Sequence, residues 1–356
     1  MKRLALCQVP LAACALFVSG GFLTADGPVS RDGSVADLNE PAKKSGDPAG
    51  MISRPVLGYV AQSRPPGLRA ILGVPGAAVL SVPLVLPGGV TRVCLAPGQA
   101  YALVERREDV PAVMPLNGVS VGKAVPIPAA LQTPDFVVFS PTGQSAVLYW
   151  MAASRLQVIG GLPGVPRIVM DIDTSAFAEQ PQDAAVSDDG ALVLLASPGA
   201  VYEVPPGGLV KQVMSVSSSA ALAFFPNSSQ AAIADRGAGS VYLWLGSADT
   251  SSPALLATDL AGLGAVRATA DGQGLWITNP GDQSMLWIGA RTGEVRKFNV
   301  QVSPTRLDRL PATDMFLISS VPGQPTWIFF RQGDDVRAVF VPAANVSRRR
   351  PIVRPL

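Results

Sequence analysis

The sequence predicts an all-β fold built from four-stranded antiparallel blades, and three observations support this prediction. From residue 55 onward, apolar residues occur in runs of about four to eight, bounded by Gly, Pro, Ser, Asn and Asp, as in short strands. No segment there has the apolar spacing of a long amphipathic helix. The runs also repeat every 38 to 47 residues, which is typical of the blades of a β-propeller.

Each repeat begins with an apolar strand that ends in a tight turn. The turn has a chemical signature, because proline presets φ at its first central position, Asp or Asn bonds to the nearby backbone, and glycine accepts positive φ. A second apolar strand, a polar loop and two further strands follow the turn. The six copies of strand and turn are Val93–Gln99, Val137–Gly143, Ala185–Gly190, Ala223–Ser228, Arg267–Gly272 and Asp308–Thr313.

The six copies account for the chain from Val90 to Asn345. Ahead of them, three apolar segments supply the strands of one more blade: 56–62, 68–72 and 77–84. We therefore predict seven blades, with six as the alternative. Segments such as Leu192–Leu195 do not alternate apolar with polar residues, so both faces of these strands must be covered. Blades stacked face against face provide that cover.

Several segments resemble a known family of propellers. Leu275–Ile288 contains a Thr-Asn strand end, a Gly-Asp loop and an apolar strand, and Ile233–Trp244 repeats this layout with Asp235 at the Asn position. These segments are similar to the YVTN repeat of secreted prokaryotic propellers. The turn Ser140–Gly143 resembles the Ser-Pro-Asp-Gly turn of YVTN, TolB-like and lactonase-like propellers. The resemblance covers about residues 55 to 345, and the chain lacks the Gly-His and Trp-Asp signatures of WD40 repeats.

The N-terminal segment has the layout of a secretory signal peptide. Met1–Arg3 is basic, Leu4–Leu23 is mostly apolar, and small residues follow. We predict a signal peptide at 1–25, a flexible linker at 26–54, the propeller at 55–345 and a basic tail at 346–356, in a periplasmic or secreted protein. Two alternatives are an uncleaved anchor and a lipoprotein, in which the lipobox-like Leu11–Cys14 would make Cys14 the lipidated residue.

Charge and histidine content exclude several functions. Loss of residues 1–25 leaves 26 basic against 26 acidic residues, so the mature chain has no overall attraction to nucleic acid, and no later segment could span a membrane. The chain contains no histidine, which excludes a Ser-His-Asp triad, a His-ligated zinc and a His-ligated haem. The resemblance to lactonase-like propellers implies a catalytic set that includes histidine, and this chain cannot supply it.

We therefore predict a monomeric, non-catalytic binding or scaffolding module without a cofactor, with a protein or glycan partner at the channel mouth. The alternative is a calcium-assisted hydrolase with an Asp/Glu/Asn site there. Loops that converge at one end of the channel supply the ligand-contact candidates. These are Arg106, Arg107, Asp235, Arg236, Asn279, Asp282 and Gln283. The acidic pairs Asp171/Asp173 and Asp188/Asp189 are interpreted as structural.

Overall fold

The computed structural model describes residues 55–342, except 64, 176, 178, 208–209, 248–251, 322–323 and 334. The predicted signal peptide, linker and basic tail lie outside the described residues, as does Cys14. Within the described part, no helix is long and apolar enough to cross a membrane.

Twenty-eight strands in seven antiparallel sheets make up the described chain, and each sheet is one blade, numbered here in chain order. Blade 1 comprises β1 (Val56–Ser63), β2 (Pro66–Leu72) and β3 (Val79–Leu80). Blade 2 comprises β4 (Val90–Leu95), β5 (Tyr101–Arg106), β6 (Ala112–Asn117), β7 (Ser120–Val121) and β8 (Val125–Pro126). Blade 3 comprises β9 (Phe136–Phe139), β10 (Ser145–Trp150), β11 (Arg155–Gly160) and β12 (Arg167–Asp173). Blade 4 comprises β13 (Asp183–Val186), β14 (Val193–Ser197), β15 (Ala200–Val204) and β16 (Lys211–Ser215).

Blade 5 comprises β17 (Ala220–Phe224), β18 (Ala231–Asp235), β19 (Ser240–Trp244) and β20 (Ala254–Ala257). Blade 6 comprises β21 (Val266–Ala268), β22 (Gly274–Asn279), β23 (Ser284–Gly289) and β24 (Val295–Asn299). Blade 7 comprises β25 (Asp308–Arg309), β26 (Met315–Ser319), β27 (Thr326–Gln332) and β28 (Asp335–Val341). In blades 3 to 7 the four strands pair in chain order, so the predicted blade and the predicted number of seven are both confirmed.

Blades 1 and 2 depart from four strands. In blade 2, β7 pairs with the end of β6 and β8 with its beginning, so the two short strands together form an interrupted fourth strand. In blade 1, a Cβ at Gly58 would lie 2.6 Å from Gln99 Oε1 and 3.3 Å from Pro311 Cδ, both in turns that follow the first strands of neighbouring blades. In the other blades, the second strand begins at this turn. The strands β1 to β3 therefore correspond to the second, third and fourth strands of a blade, and the described residues contain no strand at the first position of blade 1.

Apolar clusters between consecutive blades hold the ring together. Leu194 packs into the cluster shared by blades 4 and 5, whereas the next residue, Leu195, packs into the cluster shared by blades 3 and 4. Both side chains are fully buried, which explains why this strand does not alternate apolar with polar residues. A further cluster brings Val60 and Ile71 of blade 1 against Leu317 of blade 7, and this contact closes the ring.

The side chain of Gln99 in blade 2 forms hydrogen bonds to the backbone of blade 1 like those that a neighbouring strand would form. Its side-chain Oε1 accepts a hydrogen bond from Tyr59 N at 2.6 Å, and its Nε2 donates to Tyr59 O at 3.2 Å. Gln99 is 2% exposed, so both bonds are formed away from bulk solvent.

We expect Gln99→Ala to lower the free energy of unfolding by about 2–3 kcal/mol, because it leaves the buried N–H and C=O groups of Tyr59 without hydrogen-bond partners. Urea unfolding measures the change. The matched control is Gln144→Ala, which alters an exposed glutamine in the corresponding turn of blade 3 and should leave stability within about 0.5 kcal/mol of the parent chain. Equal effects of the two substitutions would contradict the proposed link.

Candidate functional site

The innermost strands of the blades line a channel. The first strands of blades 2 to 7 and β1 of blade 1 each pair with a single neighbour in the described part of the chain. Their other edges therefore offer N–H and C=O groups without strand partners. These strands and the turns that follow them line a cavity of about 320 Å³, to which blade 1 contributes Ala61.

Five charged side chains line this cavity, and all come from blades 4, 6 and 7: Asp183, Arg267, Arg306, Asp308 and Arg309. They lie in or next to three inner strands, β13, β21 and β25. Arg306 and Asp308 form an ion pair with each other. The remaining three groups determine the electrostatics of the channel.

Asp183 is held by the backbone at the start of β13. Its Oδ2 accepts a hydrogen bond from Leu222 N of blade 5 at 3.1 Å, and its Oδ1 accepts one from Ala184 N at 2.9 Å. Burial raises the pKa of this carboxyl, while the positive charge of Arg267 and the two backbone bonds oppose the rise. Asp183 therefore joins blades 4 and 5 and places a carboxyl beside the channel arginines.

Arg309 is the most enclosed of the channel arginines. Burial lowers its pKa, and the positive charge of Arg267 lowers it further. Its guanidinium donates to Ala268 O of blade 6 and lies 5.8 Å from the ring centroid of Phe316. Arg267 is exposed to the channel and donates to Val266 O at 2.8 Å. Two neighbouring blades thus direct guanidinium groups into one cavity.

Two of the predicted loop residues, Asp235 and Asn279, organise their own blades. Asp235 Oδ1 accepts bonds from Gly237 N and Ala238 N, and its Oδ2 accepts one from Ser217 N at 2.8 Å. Asn279 Oδ1 accepts a bond from Asp282 N, and its Nδ2 donates to Ala261 O at 2.8 Å. Each side chain ties the loop after a second strand to the loop that leads into the first strand of the same blade, and ligand contact by either residue remains a prediction.

Four other predicted residues lie in exposed or partly exposed loops. Arg106 pairs with Asp109 at 2.6 Å, and the N–H of the exposed Arg107 donates to Gly89 O. Asp282 pairs with Lys297 of the outermost strand of blade 6, and Gln283 has a φ of 46° in a tight loop. None of the four lines the cavity. Their contact with a ligand also remains a prediction.

Arg236 is the predicted residue whose side chain reaches toward the channel strands. It donates to Ala220 O, at the start of the inner strand of blade 5, and to Gly264 O, which precedes the inner strand of blade 6, both at 3.4 Å. Its positive charge also acts on Asp183. Arg236 therefore stands beside the end of the channel at which these inner strands begin.

The acidic pairs have the structural roles expected of them. Asp171 pairs with Arg155 at 2.5 Å, and Asp189 accepts bonds from Ser187 Oγ and Ala191 N within its own turn. The described ranges contain no group of three or more Cys, Asp or Glu side chains arranged to hold a metal ion. The calcium-assisted hydrolase stays an alternative that metal analysis of the purified protein would test.

Sequence reasoning did not single out Arg267 or Arg309 as functional. A signal was present, because the residue three positions before the turn anchor is Cys94, Val138, Ala185 and Ala223 in four repeats but Arg267 and Asp308 in the last two. The inner strands contain mostly apolar or small residues. A charged residue in one of them therefore indicates the part of the channel where polar side chains lie.

Comparison with known proteins supports the fold alone. No family model and no curated protein matches the chain. A protein of unknown function from Desulfotomaculum acetoxidans is similar in structure, with a TM-score of 0.52 and 13% identity over 81% of this chain and 99% of that one. The β-propeller domain of Cps50 (Swd1) from Myceliophteria thermophila has a TM-score of 0.50 and 11% identity over 73% of this chain and 89% of that one.

Proposed function

We propose that this protein is an exported, non-catalytic binding module that takes a glycan into its channel. One observation carries the proposal: among the described residues, edges of the inner strands that pair with no further strand surround a cavity that three arginines also line. A cavity of about 320 Å³ is within the range of small-ligand sites. The blades are tied by buried clusters, so the site is rigid before the ligand arrives.

The wall chemistry favours a glycan over a protein segment. Strand edges alternate N–H donors with C=O acceptors. Each sugar hydroxyl can both donate and accept, so a sugar can satisfy both kinds of group, whereas an apolar side chain would leave them unpaired. Many apolar residues of the inner strands pack between the blades, and some of them, such as Val137 and Val138, also line the cavity.

Export and membership of the YVTN-type propellers belong to the same proposal. The basic and apolar N-terminal segment supports export. The matching roles of Asp235 and Asn279 in neighbouring blades support a repeat of the YVTN kind, because this position ties two loops of one blade together.

The test is a glycan array probed with the full-length protein purified from a bacterial periplasm. We expect saturable binding to at least one glycan without turnover, and at least a ten-fold loss with Arg236→Ala, which removes a charge beside the channel. The control Arg291→Ala removes an exposed arginine between β23 and β24, on the outer side of blade 6, and should bind like the parent. Binding of a protein partner without any glycan, or hydrolysis of a bound glycan, would overturn the proposal.

A further inference from the structure

The channel contains two arginines, Arg267 and Arg309, that form no direct ion pair in the described part of the chain. Of the three arginines that line the cavity, Arg306 is neutralised by Asp308. In the part of the chain that the structure describes, neither Arg267 nor Arg309 has a carboxylate within ion-pairing distance. Each donates to one backbone carbonyl, although a guanidinium carries five N–H groups. Donors therefore remain for a ligand.

Nearby carboxylates are already engaged by other partners. Asp183 accepts two backbone N–H bonds, as described above. Three further aspartates, in the turns that follow the inner strands, stabilise the charged form of Arg309. Their partners are Thr142 and Asn227 for Asp188, Thr269 and Gln273 for Asp271, and Arg331 for Asp314. None of the four forms an ion pair with Arg267 or Arg309 in the described part of the chain, although Asp314 Oδ1 has no hydrogen-bond partner there.

Such an arrangement is unfavourable without a ligand. Burial destabilises the charged form of Arg309, and the like charge of Arg267 adds to this. The negative charges of Asp314, Asp188 and Asp271 offset only part of the effect, so the pKa of Arg309 remains lowered. An anion between the two guanidinium groups would relieve their repulsion and use their free donors.

We infer that the channel recognises an acidic sugar, whose carboxylate is held between Arg267 and Arg309. This inference rests on the proposed glycan-binding function and specifies the ligand class. A guanidinium is planar and binds a carboxylate through two parallel N–H bonds. The cavity is also lined by Asp183, whose carboxylate would repel a doubly charged phosphate more strongly than a singly charged carboxylate. The sugar hydroxyls meet the free strand edges.

The experiment titrates the full-length protein with trisaccharides of galacturonic, glucuronic and mannuronic acid, and with the methyl ester of each. The ester keeps the sugar and removes the charge. We expect at least one acid to bind about ten-fold or more tightly than its ester, because charge-assisted hydrogen bonds are lost with the charge. Arg267→Gln should abolish this preference while leaving the affinity for the ester unchanged.

Arg291→Gln is the matched control, because it removes one exposed arginine from the outer side of blade 6. Its preference for the acid should equal that of the parent, and unfolding midpoints should show that both variants are folded. Equal binding of acid and ester, or an unchanged preference in Arg267→Gln, would overturn the acidic-sugar inference and leave glycan binding intact. If no neutral or acidic glycan binds, both the acidic-sugar inference and the proposed glycan-binding function are overturned. Binding of an oligoglutamate peptide in place of all sugars would also overturn the inference.

Discussion

Asp188→Ala is expected to lower the free energy of unfolding by about 3–5 kcal/mol, because it removes three charge-assisted hydrogen bonds that join three blades. Asp188 lies in the first turn of blade 4 and is 8% exposed. Its Oδ1 accepts bonds from Thr142 N at 2.8 Å and Thr142 Oγ1 at 2.6 Å in blade 3. Its Oδ2 accepts a bond from Asn227 N at 2.8 Å in blade 5. One carboxylate therefore bridges the turns of both neighbours.

The neighbouring residue provides the control. Asp189 belongs to the same turn but bonds only to Ser187 Oγ and Ala191 N within it. We expect Asp189→Ala to lower the free energy of unfolding by about 1 kcal/mol. Asp188→Asn keeps one acceptor oxygen and should lie between the two. Equilibrium unfolding in urea measures all three, and a loss for Asp188→Ala no larger than that for Asp189→Ala would show that the bridge adds no stability.

The fold could be predicted because its determinants are local. The turn residues specify where each first strand ends, and the unbroken apolar strands require cover on both faces, as Leu194 and Leu195 show. The interrupted fourth strand of blade 2 could not be predicted in the same way. It depends on which parts of β6 the two short strands can reach, and this is a property of the folded hairpin.

The channel charges were harder to predict for a physical reason. Arg267 and Arg309 lie in different repeats, and they meet only because inner strands of adjacent blades converge on one axis. Loop residues such as Asp235 attract interest because they are polar and lie where loops converge. A polar loop side chain can equally bond to the loop's own N–H groups, as Asp235 does, and the residue type does not distinguish these uses.

Trp276→Ala is expected to lower the free energy of unfolding by about 3–5 kcal/mol, because the ring fills the interface between blades 6 and 7. The side chain is fully buried in β22. Its ring centroid lies 4.8 Å from that of Phe329 in blade 7 and 5.7 Å from that of Phe298 in blade 6. The guanidinium carbon of Arg331 lies 6.0 Å from the ring centroid. Truncation would leave a cavity beside the Phe329 and Phe298 rings within this buried cluster.

Two further variants test how much of the loss comes from the missing side-chain volume and how much from the indole N–H. Trp276 Nε1 is buried without a hydrogen-bond partner among the described residues, so Trp276→Phe loses volume but also removes an unsatisfied donor. We expect it to lower the free energy of unfolding by only about 1–2 kcal/mol. Trp327→Ala, at a half-buried position that contacts Phe340, should have a similarly small effect. A loss above about 3 kcal/mol in Trp276→Phe would show that the indole N–H is bonded after all.

The same variants test whether the ring unfolds as one unit. Buried clusters join every pair of adjacent blades, including blade 7 with blade 1, so weakening one interface leaves each blade held on its other side. If the ring is cooperative, Trp276→Ala should shift the transitions seen by tryptophan fluorescence and by circular dichroism to the same urea concentration. If blades 6 and 7 separated first, fluorescence would change at lower urea than circular dichroism. Coincident transitions would mean that ring closure transmits the loss at one interface to all seven blades.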